Sequence, residues 1–170
     1  MIENIVYDVA TIARRVKELG EQIAADYAGK MPMLIGILNS SAVFLADLSR
    51  AVNIPSEFDF IAISKFAPSQ SVRFEKDTAS SIEGRHVLLV EDAIDTGLTL
   101  QYVMKTLTAR KPASIEVCTL LDRPQHRIAN IEVKYRGFEI PDTFLVGYGL
   151  DYKGRYRELP ALHAHGIWPQ

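Results

Sequence analysis

The chain has 170 residues, of which 48% are apolar and 24% charged, the balance of a globular protein that buries a core within one domain of ordinary size. Its net charge of −2 gives no chain-wide positive field for nucleic acid or an anionic membrane, so neither is expected as a partner. The single cysteine, Cys118, excludes an internal disulfide, and in the apolar run SIEVCTLL it reads as a buried, inert thiol. The N-terminal MIENIVYDVATI carries two acids early, and no segment has an apolar run long enough for a signal peptide or a membrane span. The expected location is cytoplasmic.

In chain order, Ile12, Val16, Leu19, Ile23 and Ala24 recur at spacings dominated by three and four, which predicts an amphipathic helix from about Asp8 to Tyr27, ending near Gly29. MLIGIL (33–38) reads as a buried strand, SAVFLADLSRAV (41–52) as the helix after it, and FDFIAIS (58–64) as a second strand. The polar stretch KFAPSQSVRFEKDTASSIEGR (65–85) has no long apolar run; excursions of this kind are usually functional lids or flexible hairpins. His86–Val90 forms a third strand, TLQYVMKTLTAR (99–110) an amphipathic helix and SIEVCTLL (114–121) a fourth strand. Strands alternating with helices, several of them nearly continuous Val/Ile/Leu runs, imply an α/β fold whose parallel sheet is covered on both faces. Beyond Arg123 come short β-like pieces, IEVKYRGFEI and FLVGYG, with no helices between them. They suggest a small hood of about residues 123–170 on a core of about residues 5–122, all in one domain.

The stretch VLLVEDAIDTGLTL (87–100) carries the chemistry. Ligands of open parallel sheets bind outside the carboxyl ends of the strands, which is where Glu91 and Asp92 fall. The turn from Asp95 to Thr99 leads into a helix, so its backbone N–H groups and hydroxyls form an anion cradle at the positive end of the helix dipole, with Gly97 supplying backbone freedom. Carboxylates beside a phosphate repel it unless they face sugar hydroxyls or a hard cation such as Mg²⁺. A phosphorylated sugar therefore accounts for the whole stretch. The competing explanations are acids that merely solvate a loop, a helix cap at Asp95 or Thr96, and a phosphoacceptor domain. That last domain begins with such a strand and needs more chain than follows His86. The usual nucleotide motifs do not occur: there is no GxxxxGK[ST], and GYGLDY (147–152) is not GxGxxG.

VLLVEDAIDTGLTL resembles the phosphoribosyl-pyrophosphate (PRPP) motif of the type I phosphoribosyltransferases. Together with GILNSSAVFLADL, TLLDRP and GFEIPDTFLVGYGLDYKGRYRELP, in order and spacing, it resembles the hypoxanthine-guanine phosphoribosyltransferases from about residue 5 to residue 162. The resemblance implies a type I phosphoribosyltransferase fold: five parallel strands flanked by helices, with a hood. It implies a purine salvage enzyme that moves a ribose 5-phosphate from PRPP to hypoxanthine or guanine, with Mg²⁺ as cofactor and a homodimer or homotetramer as the assembly. Glu91 and Asp92 would contact the ribose hydroxyls and the metal, and Asp95 would serve as general base or acid at purine N7. Thr96, Gly97 and Thr99 would cradle the 5-phosphate, with the Leu98 backbone N–H. On the purine side, Phe144 would stack, Leu145 would offer backbone groups, and Arg123, where relatives usually carry lysine, would donate to the 6-oxo group. Asp151, at the same end of the site, matches the family's Mg²⁺-side carboxylate and Arg157 its pyrophosphate-contacting arginine.

Several positions depart from the family pattern. LNSS (38–41) stands where relatives read Leu-(Lys or Arg)-Gly-(Gly or Ser), so Asn39 removes a charge beside pyrophosphate and Ser40 replaces a glycine suited to strained backbone. Lys65-Phe66 replaces a Ser-Tyr pair, which adds a cation able to offset the charge missing at Asn39, and Leu98 replaces a residue often polar. His163 and His165 share a face of a terminal strand and read as a surface pair rather than metal ligands. Two alternatives remain in view: a xanthine-preferring enzyme, because of Arg123, and a non-catalytic RNA-binding regulator of the same fold, which the charge of −2 disfavours.

Overall fold

Successive side chains of an extended strand point to opposite faces, so a continuous apolar run is stable only where both faces are covered. In a computed structural model, which describes residues 2–66 and 71–166, the apolar runs become such strands. The first half of the chain contains β1 (Ile2–Tyr7), α1 (Val9–Asp26), β2 (Met33–Leu38), α2 (Ala42–Ala51), β3 (Glu57–Phe66) and β4 (Ser71–Lys76). The second half contains β5 (His86–Ile94), α3 (Leu98–Thr108), β6 (Ser114–Asp122), a 3-10 turn (Pro124–His126), β7 (Tyr135–Glu139), β8 (Leu145–Val146) and β9 (Leu162–His165).

The main sheet has the order β4-β3-β2-β5-β6-β7. Its five strands from β3 to β7 in that order are mutually parallel, as expected, and β4 adds an antiparallel edge. Leu34, Leu88, Val90, Cys118 and Leu120 pack on one face against Ile12, Val16, Leu19 and Ile23 of α1 and Phe44, Leu45 and Leu48 of α2. Met33, Ile35, Ile37, Val87, Leu89 and Val117 pack on the other against Leu100, Val103 and Leu107 of α3. Each of these large side chains contributes about 1.5–3 kcal/mol by leaving water. Cys118 lies in this core, and burial raises its thiol far above the ordinary range, as an inert thiol requires. Helix α1 starts where Asp8 accepts a hydrogen bond from the Thr11 N–H at 2.7 Å, which holds the Asp8 carboxyl below its ordinary value.

Three expectations change. Residues of IEVKYRGFEI do not all belong to a hood: β7 pairs parallel with β6 at the edge of the main sheet. That edge is closed by α1, where Arg15 donates through Nε to the Gly137 carbonyl (2.8 Å) and through a terminal nitrogen to the Arg136 carbonyl (2.6 Å). The Tyr135 hydroxyl adds a bond to Asp26 at 2.7 Å. The strand beginning at His86 does not stop at Val90 but stays paired with β6 through Ile94↔Asp122. The hood is a second sheet, β1-β9-β8, to which the N-terminal segment contributes an unanticipated strand through the pairs Ile5↔His163 and Tyr7↔Leu162.

The polar stretch after β3 returns as β4, in register Ile63↔Phe74. Its base is held by Lys76 on Asp59 (3.0 Å) and by both oxygens of Asp77 on Arg110 (2.6 and 2.7 Å). The Lys65 and Phe66 side chains, assigned a compensating charge above, lie outside the described residues.

Gly20 sits where α1 meets α2, and a Cβ there would lie 2.5 Å from the backbone carbon and oxygen of Ala51. Alanine gains about 1 kcal/mol of helix propensity over glycine. Overpacking against backbone, which cannot rotate aside, costs about 1–3 kcal/mol. Gly20→Ala is therefore expected to destabilise the protein, against the sign of helix propensity, with a lower urea midpoint as the measurement.

Candidate functional site

The side chains of Glu91 and Asp92 alternate across the last residues of β5, so Asp92 turns inward and is buried while Glu91 stays half-buried. Burial pushes the Asp92 carboxyl above its ordinary value. A hydrogen bond from the Ser40 hydroxyl (2.9 Å), nearby backbone N–H groups and the charge of Arg157 pull the other way without cancelling it. Ser40 thus does something glycine cannot: it donates to a buried carboxylate. Neither Asn39 nor Ser40 has a positive φ, so the anticipated cost of serine in left-handed backbone does not arise there. The Leu38–Asn39 peptide is cis.

After Ile94 the chain bends through Asp95 and Thr96 into Gly97, whose φ of 78° precedes α3. A Cβ on Gly97 would also meet the Arg127 side chain at 2.9 Å, so glycine is required by conformation and by space. The turn is stapled to the segment after β6. The Thr96 carbonyl accepts from the N–H groups of Ile128 (2.9 Å) and Ala129 (3.0 Å), and the Asp95 carbonyl accepts from Arg127 Nε (3.1 Å). An open cavity of about 570 Å³ lies above it, lined by Ser40, Glu91, Asp92, Asp95, Thr96, Gly97 and Thr99, with Ile37, Leu38, Ile63 and Leu100 among its apolar walls. Leu98 points away from the core and is exposed, while its N–H lies 3.5 Å from the Thr96 hydroxyl. Asn39 is exposed and does not line the cavity.

The segment after β8 lies against the Asn39–Ser41 loop: a Cβ on Gly149 would sit 2.2 Å from the Ser40 carbonyl oxygen. Arg157 donates to the Gly149 carbonyl (2.6 Å) and pairs with Asp151 (2.7 Å). Arg123 donates to the Thr143 carbonyl. Burial lowers its pKa, opposed by Asp95 and Asp142, whose charges it feels. Phe144 meets Tyr152 and His165 edge-on, each with ring centroids 6.1 Å apart. Leu145 is buried in β8 opposite Ala164. The surface pair of histidines is corrected: His165 is buried, with its ring 4.4 Å from that of Tyr152. Among the described residues no three His, Cys, Asp or Glu side chains converge as a metal cage, so Glu91, Asp92 and Asp151 do not form one by themselves.

Two residues escaped the sequence analysis. Asp122 is fully buried and paired with Arg127 and with Arg136 Nε (2.6 Å). His126 Nδ1 lies 2.9 Å from Asp95 Oδ1. Both fall beside Arg123 in LLDRPQHR, but no local pattern in that stretch marks them.

The model of the phosphoribosyl transferase domain matches residues 4–153. The chain belongs to that family. It is 45% identical to the hypoxanthine-guanine phosphoribosyltransferase of Mycobacterium bovis, across 93% of this chain and 83% of that protein. Its fold is similar to the crystal structure of a hypoxanthine-guanine phosphoribosyltransferase from Bacillus anthracis with a HEPES molecule in the active site. There the TM-score is 0.94 and the identity 37%, over 97% of this chain and 99% of that one. It is also similar to the hypoxanthine phosphoribosyltransferase of Trypanosoma cruzi in complex with the product IMP, at a TM-score of 0.92 and 39% identity over 96% and 94% of the two chains.

Asp92 gives the stability of this chain a pH signature. In the unfolded chain an aspartate titrates near 3.8, and in the folded chain it holds its proton to higher pH. Through that window the unfolded state binds fewer protons, so this group's contribution falls as pH rises. Asp92→Asn keeps an acceptor for Ser40 but has no charge to desolvate. It is expected to be more stable than the wild type at neutral pH, by a margin that shrinks toward pH 4. Urea unfolding of both ligand-free proteins across about pH 4 to 8 checks this.

Proposed function

We propose that this protein is a purine salvage enzyme that transfers the 5-phosphoribosyl group of PRPP to hypoxanthine or guanine, giving IMP or GMP and pyrophosphate. One observation carries the proposal. The Asp95–Thr99 turn and the carboxylates of Glu91 and Asp92 line the same cavity, with the Ser40 loop on its wall. The relatives named for this activity, 45% identical across most of the chain, support it.

The roles follow from the chemistry of each group. The Thr96 and Thr99 hydroxyls and the backbone N–H groups around Gly97 and Leu98 hold the 5-phosphate at the start of α3, where the helix dipole favours an anion. Glu91 and Asp92 accept hydrogen bonds from the ribose hydroxyls. Asp95 takes the N7 proton as the purine nitrogen bonds to the ribose and the bond to pyrophosphate breaks. Arg123 donates to the 6-oxo group, whereas a 6-amino group would leave that guanidinium facing another donor. Phe144 stacks on the purine, and Leu145 offers backbone groups to its edge. Ser40, at the end of the loop whose Asn39 side chain faces solvent, and Arg157 bound the pyrophosphate side; Arg157 offers two phosphoryl oxygens its planar fork.

Glu91, Asp92 and Asp151 present only hard oxygen donors, the set that suits Mg²⁺, which is held by one or two carboxylates together with phosphate oxygens. These carboxylates would hold Mg²⁺, whose positive charge would offset that of a pyrophosphate leaving group. Core and hood act as one catalytic domain in this proposal, in a cytoplasmic homodimer or homotetramer. No described helix is long and apolar enough to cross a membrane.

A PRPP-dependent assay with hypoxanthine, guanine, xanthine and adenine tests the proposal. Turnover is expected with hypoxanthine and guanine and not with adenine, and no turnover with any base would sink it. Asp95→Asn is expected to lower kcat by about 10²–10⁴-fold while PRPP still binds. Full activity in that variant would remove Asp95 from the proton transfer.

A further inference from the structure

The segment after β6 places an imidazole between two carboxylates. The 3-10 turn Pro124–His126 is anchored by Gln125, which donates to the Ile140 carbonyl (3.0 Å), and by Arg127, which reaches the Asp95 carbonyl. His126 is thereby held with Nδ1 2.9 Å from Asp95 Oδ1 and Nε2 3.4 Å from Asp142 Oδ1. Asp142 lies between β7 and β8, beside Thr143, whose carbonyl takes the Arg123 guanidinium. Among the described residues, Arg123 feels the charges of both Asp95 and Asp142, and Arg127 reaches the Asp95 carbonyl.

A carboxylate on an exposed bend rotates freely unless one of its oxygens is held. Asp95 is half-exposed, and His126 Nδ1 lies 2.9 Å from its Oδ1, so the carboxylate keeps a second oxygen for a substrate proton. We propose that His126 is a positioning residue for the transfer reaction: it fixes the Asp95 carboxylate through Nδ1, with Nε2 turned toward Asp142, so that the segment bearing the purine contacts orients the proton acceptor. The inference rests on the assignment of Asp95 under the proposed function. It makes base binding and proton acceptance mechanically dependent on each other, because the loop that carries Asp142 and Thr143 leads directly into Phe144.

The test compares His126→Ala and His126→Asn with the wild type in the PRPP-dependent assay, and records the imidazole ¹⁵N signals of the wild type, Asp95→Asn and Asp142→Asn. An asparagine amide can occupy the place of Nδ1, so it retains a donor to Asp95 while the contact with Asp142 is lost. His126→Ala is expected to lower kcat about tenfold, the value of one charge-assisted hydrogen bond, with KM for PRPP and the melting temperature nearly unchanged. His126→Asn is expected to recover several-fold of that loss. The His126 Nδ1 signal is expected to move in Asp95→Asn and the Nε2 signal in Asp142→Asn. Wild-type turnover with an unchanged kcat in His126→Ala, or a loss that merely follows a lowered melting temperature, overturns the inference alone. A wild-type protein without transferase activity overturns the functional proposal and this inference with it.

Discussion

The site depends on the parallel pairing of β2, β5 and β6. Parallel strands bring all their carboxyl ends to one edge of the sheet, and their backbone bonds fix which residue stands beside which. Gly36 pairs with Val90 and Ile94 with Asp122, so the loops that begin at Asn39, Asp95 and Arg123 leave the sheet side by side. A slip of one residue in β5 would turn Asp92 to the opposite face and carry Leu88 and Val90 from the face packed by α1 and α2 to the face packed by α3. The apolar packing of both faces is therefore what holds the carboxylates in place.

Burying charge beside this edge is the second constraint. Asp122 ends β6 with no exposure to solvent, and it is matched by Arg127 from the chain after the 3-10 turn and Arg136 from β7. A buried carboxylate that loses its partners costs about 3–5 kcal/mol, so the pairing restricts where both segments can lie. It holds β7 at the sheet edge and the turn with His126 over Asp95. Asp92 is the opposite case: its partners compensate only in part, and its carboxyl is raised. Buried groups left in such tension cluster at functional sites, where binding a ligand completes the missing interactions.

The departures of this chain from its relatives become intelligible at the same edge. Ser40 in place of glycine could have strained the loop, yet its backbone avoids positive φ and its hydroxyl reaches Asp92. Arg123 in place of lysine extends far enough to grip the Thr143 carbonyl, which ties the end of β6 to the chain that bears Phe144. A lysine donates all three of its N–H groups from one nitrogen, whereas a planar guanidinium spreads its donors over three nitrogens.

Local pattern carried much of this fold. The runs MLIGIL and SIEVCTLL and the spacing from Ile12 to Ile23 have the periods of a two-sided strand and a one-sided helix, and those periods arise from neighbours in the chain. The order Glu91, Asp92, Asp95, Gly97 likewise announced a turn at the carboxyl end of β5, because its parts are adjacent. Other features depended on partners distant in sequence. IENIVY became a strand only because β9, from the far end of the chain, lies beside it, and YRGFE joined the main sheet because Arg15 and Asp26 of α1 meet it there. Asp95 and His126 are 31 residues apart, and Ser40 and Asp92 are 52 apart. The sequence by itself determined the helices, the apolar strands of the main sheet and the residue types of the turn after β5, since these follow from short-range periodicity and composition. The tertiary structure alone decided which carboxylate is buried and which groups orient it, since burial and hydrogen bonding depend on segments that meet only when the sheet has closed.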